Sequence, residues 1–297
     1  MTKHIHKGGP KAVKAIVQKA RVGRLSHVMK PESLALVENF RLMDDTFLSK
    51  CFENAPECIE LILQNILDKK DLQVVTSQTE YPIKNLQGRG VRFDVFARDS
   101  EGREYDIEIQ RADKGADPKR ARYNSALLDA NALKSGADFT KLRDTYVIII
   151  TENDVMGRGQ GVYVFDRVDK KSGLDLGDGA HVVYANGMWR GDDALGRLMY
   201  DFNCRDADKM HYDVLKKRVS QLKDSQEGRH IMCKAVEEYA ERRAAESERK
   251  GKREGRRETM LAMAKRLIAN GKLMLKEIAE CTGLSLAQVK KLQAEMA

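Results

Sequence analysis

The stretch from Val91 to Gln110, VRFDVFARDSEGREYDIEIQ, restricts the fold more than any other part of the chain. In its first arm Val91, Phe93, Val95 and Ala97 alternate with Arg92, Asp94, Phe96 and Arg98. In its second arm Tyr105, Ile107 and Ile109 alternate with Glu104, Asp106, Glu108 and Gln110. Both arms carry the period of two expected of half-buried strands. Asp99-Ser100-Glu101-Gly102 between them suits a type I turn with Gly102 in the left-handed bulge position, so the stretch predicts a β-hairpin. Pairing Asp99 with Arg103 sets Val95 opposite Ile107 and Phe93 opposite Ile109, apolar against apolar. A slip of one residue would send one arm's apolar set to the wrong face.

The same register puts Asp94 directly opposite Glu108, and Arg92 opposite Gln110. Opposed carboxylates on a strand surface cost about 0.2–1 kcal/mol, and more when desolvated. Such a pair needs a proton, an arginine or a metal. Mg²⁺ takes one or two carboxylates together with waters and phosphate oxygens, so a metal site is the preferred reading. The alternative is a plain strand surface salt-bridged by Arg92 or Arg98. Asp106 shares the face but lies nearer the turn, and it is expected to be solvated.

Asp94, thirteen intervening residues and then Glu108-Ile109-Gln110 resemble the core of the PD-(D/E)XK nucleases. The resemblance is to the branch of PD-(D/E)XK nuclease family transposases, or recombination-promoting nucleases, in which glutamine replaces the lysine of E-x-K. Further words of that family are Asp44-Asp45-Thr46-Phe47 with Phe52 upstream, and Arg120-Ala121-Arg122-Tyr123 downstream, followed by an apolar strand at Tyr146 to Ile150. One departure stands out: Asn124 replaces the second aromatic of the usual R-A-R-Y-Y run. The resemblance extends from about Arg41 to Asp201. It implies an α/β fold, a restriction-endonuclease-like αβββαβ core with a mixed sheet, here with a helical C-terminal extension. It also implies Asp94 as bridging metal ligand, Glu108 as the second and the Ile109 carbonyl as a third donor, with Asp45 a further candidate from the first helix. Asp44 is the weaker candidate for that acid, and either Asp44 or Asp45 reads equally well as a helix N-cap. Gln110 shares the strand face; an amide does not titrate, so it orients water or ligates through its oxygen instead of taking a proton. Arg120 and Tyr123 fall on one helix face, and Arg120, Arg122 and Tyr123 are candidate nucleic-acid contacts, although an ordinary solvated helix start also accounts for the arginines.

The net charge of +8 is uneven: residues 1–30 hold eight basic side chains and no acid. Such an arm suits phosphate backbones, or is a solvated tail. The five cysteines are scattered without a C-x-x-C, which reads as reduced thiols rather than a zinc site or a disulfide framework. No apolar run reaches membrane-spanning length, and the N-terminus lacks the apolar core of a signal peptide. A cytoplasmic, nucleoid-associated protein with no membrane partner and no small-molecule cofactor is expected.

Helices are predicted over 31–52, 58–67 and 119–135, strands over 72–86 and 145–151, then strands over 162–168 and 181–185 and helices over 192–203 and 206–223. Residues 227–250 read as a charged helix and 251–255 as a linker. Beyond it, Met260, Met263, Ala264, Leu267 and Ile268 form one helix face, and two short helices flank Thr282-Gly283-Leu284 with Ser285 as N-cap. That tail resembles a small helix-turn-helix, with Gln288, Lys290 and Lys291 the side chains available to DNA; packing or oligomerisation is the competing role. Four regions follow: a basic arm (1–30), a nuclease-like domain (31–225), a charged helix and linker (226–258) and a C-terminal helical domain (259–297). The function expected is a DNA endonuclease using Mg²⁺ or Mn²⁺, with homodimerisation through the C-terminal helices. A catalytically inactive DNA-binding or oligomeric interaction protein on the same core is the alternative.

Overall fold

The computed structural model describes residues 31–85 and 88–296; the basic arm and part of the turn before the hairpin lie outside the described residues. Among the described residues three helices come first: α1 (Pro31–Asn39), α2 (Asp45–Phe52) and α3 (Pro56–Ile66). Three strands follow, β1 (Val74–Ile83), β2 (Val91–Asp99) and β3 (Glu104–Gln110), then α4 (Pro118–Ala132) and β4 (Thr145–Thr151). This is the αβββαβ order. The strands β5 (Val162–Phe165) and β6 (Ala180–Asn186) and the helices α5 (Ala194–Asn203) and α6 (Asp213–Lys223) extend it. The six strands form one mixed sheet in the order β1-β2-β3-β4-β6-β5. The first three strands are antiparallel, β3, β4 and β6 are parallel, and β5 returns antiparallel on the edge.

Local chemistry accounts for these elements. Pro56 starts α3 at a position that lacks a helical N–H partner in any case, and Cys58, Ile59, Ile62, Leu63 and Ile66 give it a buried stripe. The Asp117 carboxylate accepts the Lys119 N–H at 2.7 Å and caps α4, with Pro118 next. β4, Thr-Tyr-Val-Ile-Ile-Ile-Thr, is buried at every residue, as a central parallel strand covered on both faces must be. One sheet face packs Val95, Ile107, Ile109 and Ile148 against Phe47, Ile59, Ile62, Phe202 and Leu215 of α2, α3, α5 and α6. The other packs Phe93, Val147, Ile149 and Tyr184 against Ala121, Leu127 and Leu128 of α4. The sheet is therefore the middle of three layers.

The hairpin forms as its pattern predicts. Asp99 N–H donates to the Arg103 carbonyl at 3.1 Å, Gly102 sits at φ +83°, and the ladder runs from Arg98 opposite Glu104 to Val95 opposite Ile107. Beyond Val95 the strands part. The Ile109 N–H donates to the Asp94 carboxylate at 3.0 Å, and the neighbouring β1–β2 ladder skips Glu80, held at φ +51°. Phe93 consequently joins the α4-side core while Ile109 joins the opposite one, so they do not face each other. Arg92 pairs with Glu80 at 3.6 Å and not across from Gln110.

Helix α7 runs unbroken from Gln226 to Asn270. Residues 251–255, expected as a linker, are helical; Glu248–Lys252 and Lys250–Glu254 ion pairs at i,i+4 spacing bracket Gly251. The chain divides into two compact units between Val236 and Glu237. In the second unit α8 (Leu275–Thr282) and α9 (Leu286–Met296) meet at Gly283, φ +70°, over a core of Ala264, Ile278, Leu284, Val289 and Leu292. Ser285 and Gln288 cap each other: the Ser285 N–H donates to Gln288 Oε1 at 2.9 Å and the Gln288 N–H to Ser285 Oγ at 3.3 Å. Gln288, expected to be open to DNA, is thereby used as a cap; Lys290 and Lys291 remain exposed. No helix among the described residues is long and apolar enough to cross a membrane.

Candidate active site

The parting of β2 from β3 builds the site. With its side chain accepting the Ile109 N–H, Asp94 stays against the end of β3, and Glu108 follows from the next strand. Asp106, one pleat back, is wholly buried, against the expectation of a solvated residue. The reason is non-local: α4 covers this part of the sheet, and Asn124 donates to Asp106 Oδ2 at 2.8 Å. Asn124 thus serves the carboxylate layer beneath it with its amide N–H.

Glu108 is 1% exposed. Its Oε2 accepts from Gln110 Nε2 at 3.3 Å and from the Arg120 guanidinium, while its Oε1 has no partner among the described residues. Asp106 Oδ1 is also unpartnered. Burial pushes the Asp94 carboxyl up to about 8, helped by the charge of Glu108 and opposed by the Ile109 N–H. Burial also raises Asp106 well above the usual carboxylate range, with Glu108 adding to it. Glu108 is raised by burial too, against the pull of Arg120. Three acids in a dry place share one guanidinium, that of Arg120, which pairs with Glu108 alone. Arg92 and Arg98, the alternative partners, bind Glu80 and Glu104 instead.

Above Glu108 opens a cavity of about 660 Å³ whose walls carry Arg89, Arg92, Lys119, Arg120 and Arg122, with Tyr123 and Asn124. Asp117 is the other acid on the wall, and it is spent capping α4. The Tyr123 hydroxyl donates to the Arg89 carbonyl and accepts from Asn85 Nδ2 at 3.0 Å, which ties α4 to the loop before β2. Gln110 lies over Gly115, where a Cβ would come within 1.8 Å of Gln110 Oε1. The sequence pattern missed Arg89, Lys119 and the task of Asn124. Asn124 stands four residues after Arg120, hence on the same helix face, and that spacing was the available signal.

Asp44, not Asp45, occupies the N-cap position of α2, but its side chain does not cap. It accepts from the Arg41 N–H at 2.8 Å and from Arg111 Nη1 at 2.6 Å, and Arg111 and Arg41 both reach Glu152. Asp45 is close enough for Asp94 to feel its charge. Among the described residues, however, no three His, Cys, Asp or Glu side chains converge to cage a metal ion. Hard oxygen donors, one of them buried and unpartnered, still suit a divalent cation held by two carboxylates and completed by main chain, water and substrate.

No curated protein and no solved structure matches the chain. A family model does, that of the PD-(D/E)XK nuclease family transposases, over residues 52–186. The match takes in all six strands, α3 and α4, and it leaves Asp44 and Asp45 outside. Asp94, Glu108, Gln110 and Arg120 all fall inside it, so residues 52–186, which carry the whole sheet and the candidate site, are similar to the PD-(D/E)XK nuclease family transposases.

Proposed function

We propose that the chain is a Mg²⁺-dependent DNA endonuclease of the recombination-promoting kind. One observation carries the reading: a buried glutamate with an unpartnered oxygen, beside a second raised carboxyl, forms the floor of a cleft with basic walls. Acids that repel one another under a basic rim suit a cation below and a phosphate above.

Asp94, Glu108 and the Ile109 carbonyl would hold the cation, with Asp45 a reserve donor. Mg²⁺ or Mn²⁺ bound there supplies a polarised water and charge neutralisation at the scissile phosphate. The chain's own groups do the rest. Arg89, Lys119 and Arg122 grip phosphates on either side of the reacting one. Gln110, fixed between Glu108 and Gly115, hydrogen-bonds water without accepting its proton. Asn124 keeps Asp106 in place and so steadies the strand that carries Glu108. In the C-terminal unit, exposed Lys290 and Lys291 on α9 offer phosphate contacts outside the cleft.

Plasmid incubated with the purified chain and with an Asp94→Ala/Glu108→Ala variant, in Mg²⁺ and in EDTA, tests this. Cleavage by the wild type in Mg²⁺ alone is expected. Equal cleavage by both proteins refutes the assigned site. Salt-dependent duplex binding without cleavage would favour a DNA-binding regulator on an inactive core.

A further inference from the structure

Glu108 owes its only ion pair among the described residues to Arg120, and that pair is not built like a permanent one. Arg120 springs from the first turn of α4, keeps 41% of its side chain exposed and lines the cleft. Its other contact, Nη1 to the Gly115 carbonyl, is long at 3.5 Å. The structural arginines of this fold look different. Arg103 is 16% exposed and locked onto Asp99, and Arg218 donates to three carbonyls at 2.7 to 3.1 Å. Arg120 also carries one positive charge into a group of acids, since Asp45, Asp94 and Asp106 feel it as well as Glu108.

We infer that Arg120 is an exchangeable counterion: it occupies Glu108 while the site is empty, and a divalent cation displaces it into the cleft, where it takes a substrate phosphate. The inference rests on reading Asp94 and Glu108 as the cation's ligands. The physical argument is competition. A buried carboxylate is costly unless paired, so without a cation the nearest guanidinium settles on it. A divalent ion between Asp94 and Glu108 supplies more charge at shorter range and repels the guanidinium. The exposed stem of Arg120 lets the head swing without disturbing α4, and Arg89, Lys119 and Arg122 on the same walls add positive charge suited to phosphates. A planar guanidinium binds carboxylate and phosphate oxygens in the same two-pronged manner, so it can trade one for the other.

A permanent salt bridge and an exchangeable one predict opposite signs. Mn²⁺ binding, followed by loss of the free-ion electron paramagnetic resonance signal without DNA, is measured for the wild type, Arg120→Ala, Arg120→Gln and Arg120→Lys. Removing the competitor should tighten Mn²⁺ binding about three- to tenfold in the Ala and Gln variants, and Lys should stay near wild type. The Gln variant answers the question if the Ala variant does not fold. Affinity for a fluorescent duplex in Ca²⁺ should fall in the same two variants. Unchanged or weaker Mn²⁺ binding in both overturns the exchange while wild-type binding leaves the site itself standing. Absence of Mn²⁺ binding by the wild type overturns both.

Discussion

At the tip of the β2–β3 hairpin, Asp99 is buried and accepts from the N–H groups of Glu101 and Arg103, from Arg103 Nε and from the Tyr105 hydroxyl, at 2.6 to 3.0 Å. At its base Asp106, opposite Phe96 in the ladder, and Asp94 and Glu108, just past its last pair, share a single ion pair, and two of their oxygens have no partner among the described residues. The backbone is common to both ends. Burial disfavours charge at both, but the Tyr105 hydroxyl and Arg103 outweigh it at the tip and hold the Asp99 carboxyl below its usual range. At the base burial prevails and all three carboxyls are raised. The tip shows that this hairpin can satisfy a buried acid with its own atoms. At the base the hairpin leaves its acids with one guanidinium between them.

The contrast is sharpest in mutants. Asp99→Ala strips Arg103 and Tyr105 of their partner, and should cost about 3–5 kcal/mol in urea unfolding. Asp94→Asn should do the reverse without metal, stabilising the fold by about 1 kcal/mol, because it removes a carboxyl that burial first and Glu108 second make costly to ionise. It should also lower cleavage by roughly a thousandfold or more, since several kcal/mol of transition-state stabilisation are lost with the cation. An Asp94→Asn protein that is less stable than wild type in EDTA would place the base in the same class as the tip.

The pH dependence separates the ends in sign. Asp94 moves from about 4 when unfolded to about 8 when folded. A raised carboxyl contributes its stability fully below the unfolded value and loses it as pH rises through the folded one. Thermal melts in EDTA should therefore fall between about pH 4 and pH 8, and Asp94→Asn should flatten that slope. The lowered Asp99 works the other way, losing its contribution only in acid. A smaller effect is expected at Gly115. Its Ala variant pushes the flexible end of Gln110 off Glu108, for about 1 kcal/mol or less of stability, with a fall in cleavage rate near tenfold and little change in substrate affinity.

Local pattern made the hairpin legible: two strict alternations and one turn set the ladder, and Gly102 took the left-handed turn its position required. The αβββαβ order followed from periodicity, whereas the expected pairing of Asp94 directly across from Glu108 did not form, since the ladder ends at Val95 and Ile107 and Asp94 turns its carboxylate to the Ile109 N–H. What the letters hid was the work of distant contacts. Asp106 looks like a solvated strand residue until α4 lands on it. The parting of β2 from β3 just past Val95 is absent from the alternation, which runs on through Asp94 and Phe93. The Arg120 pair needs the crossover from β3 to α4 to bring a first-turn side chain back over the strand. The continuity of α7 was readable after all, since Glu248, Lys250, Lys252 and Glu254 already stand at helix-pairing intervals around Gly251.

Thermal unfolding at pH 8 with and without Mg²⁺, for the wild type and for an Asp94→Asn/Glu108→Gln variant, bears most directly on the claim that the hairpin base is a divalent-cation site. Mg²⁺ should raise the melting temperature of the wild type and leave that of the variant where it was. A wild type indifferent to Mg²⁺, or a variant stabilised just as much, would contradict it.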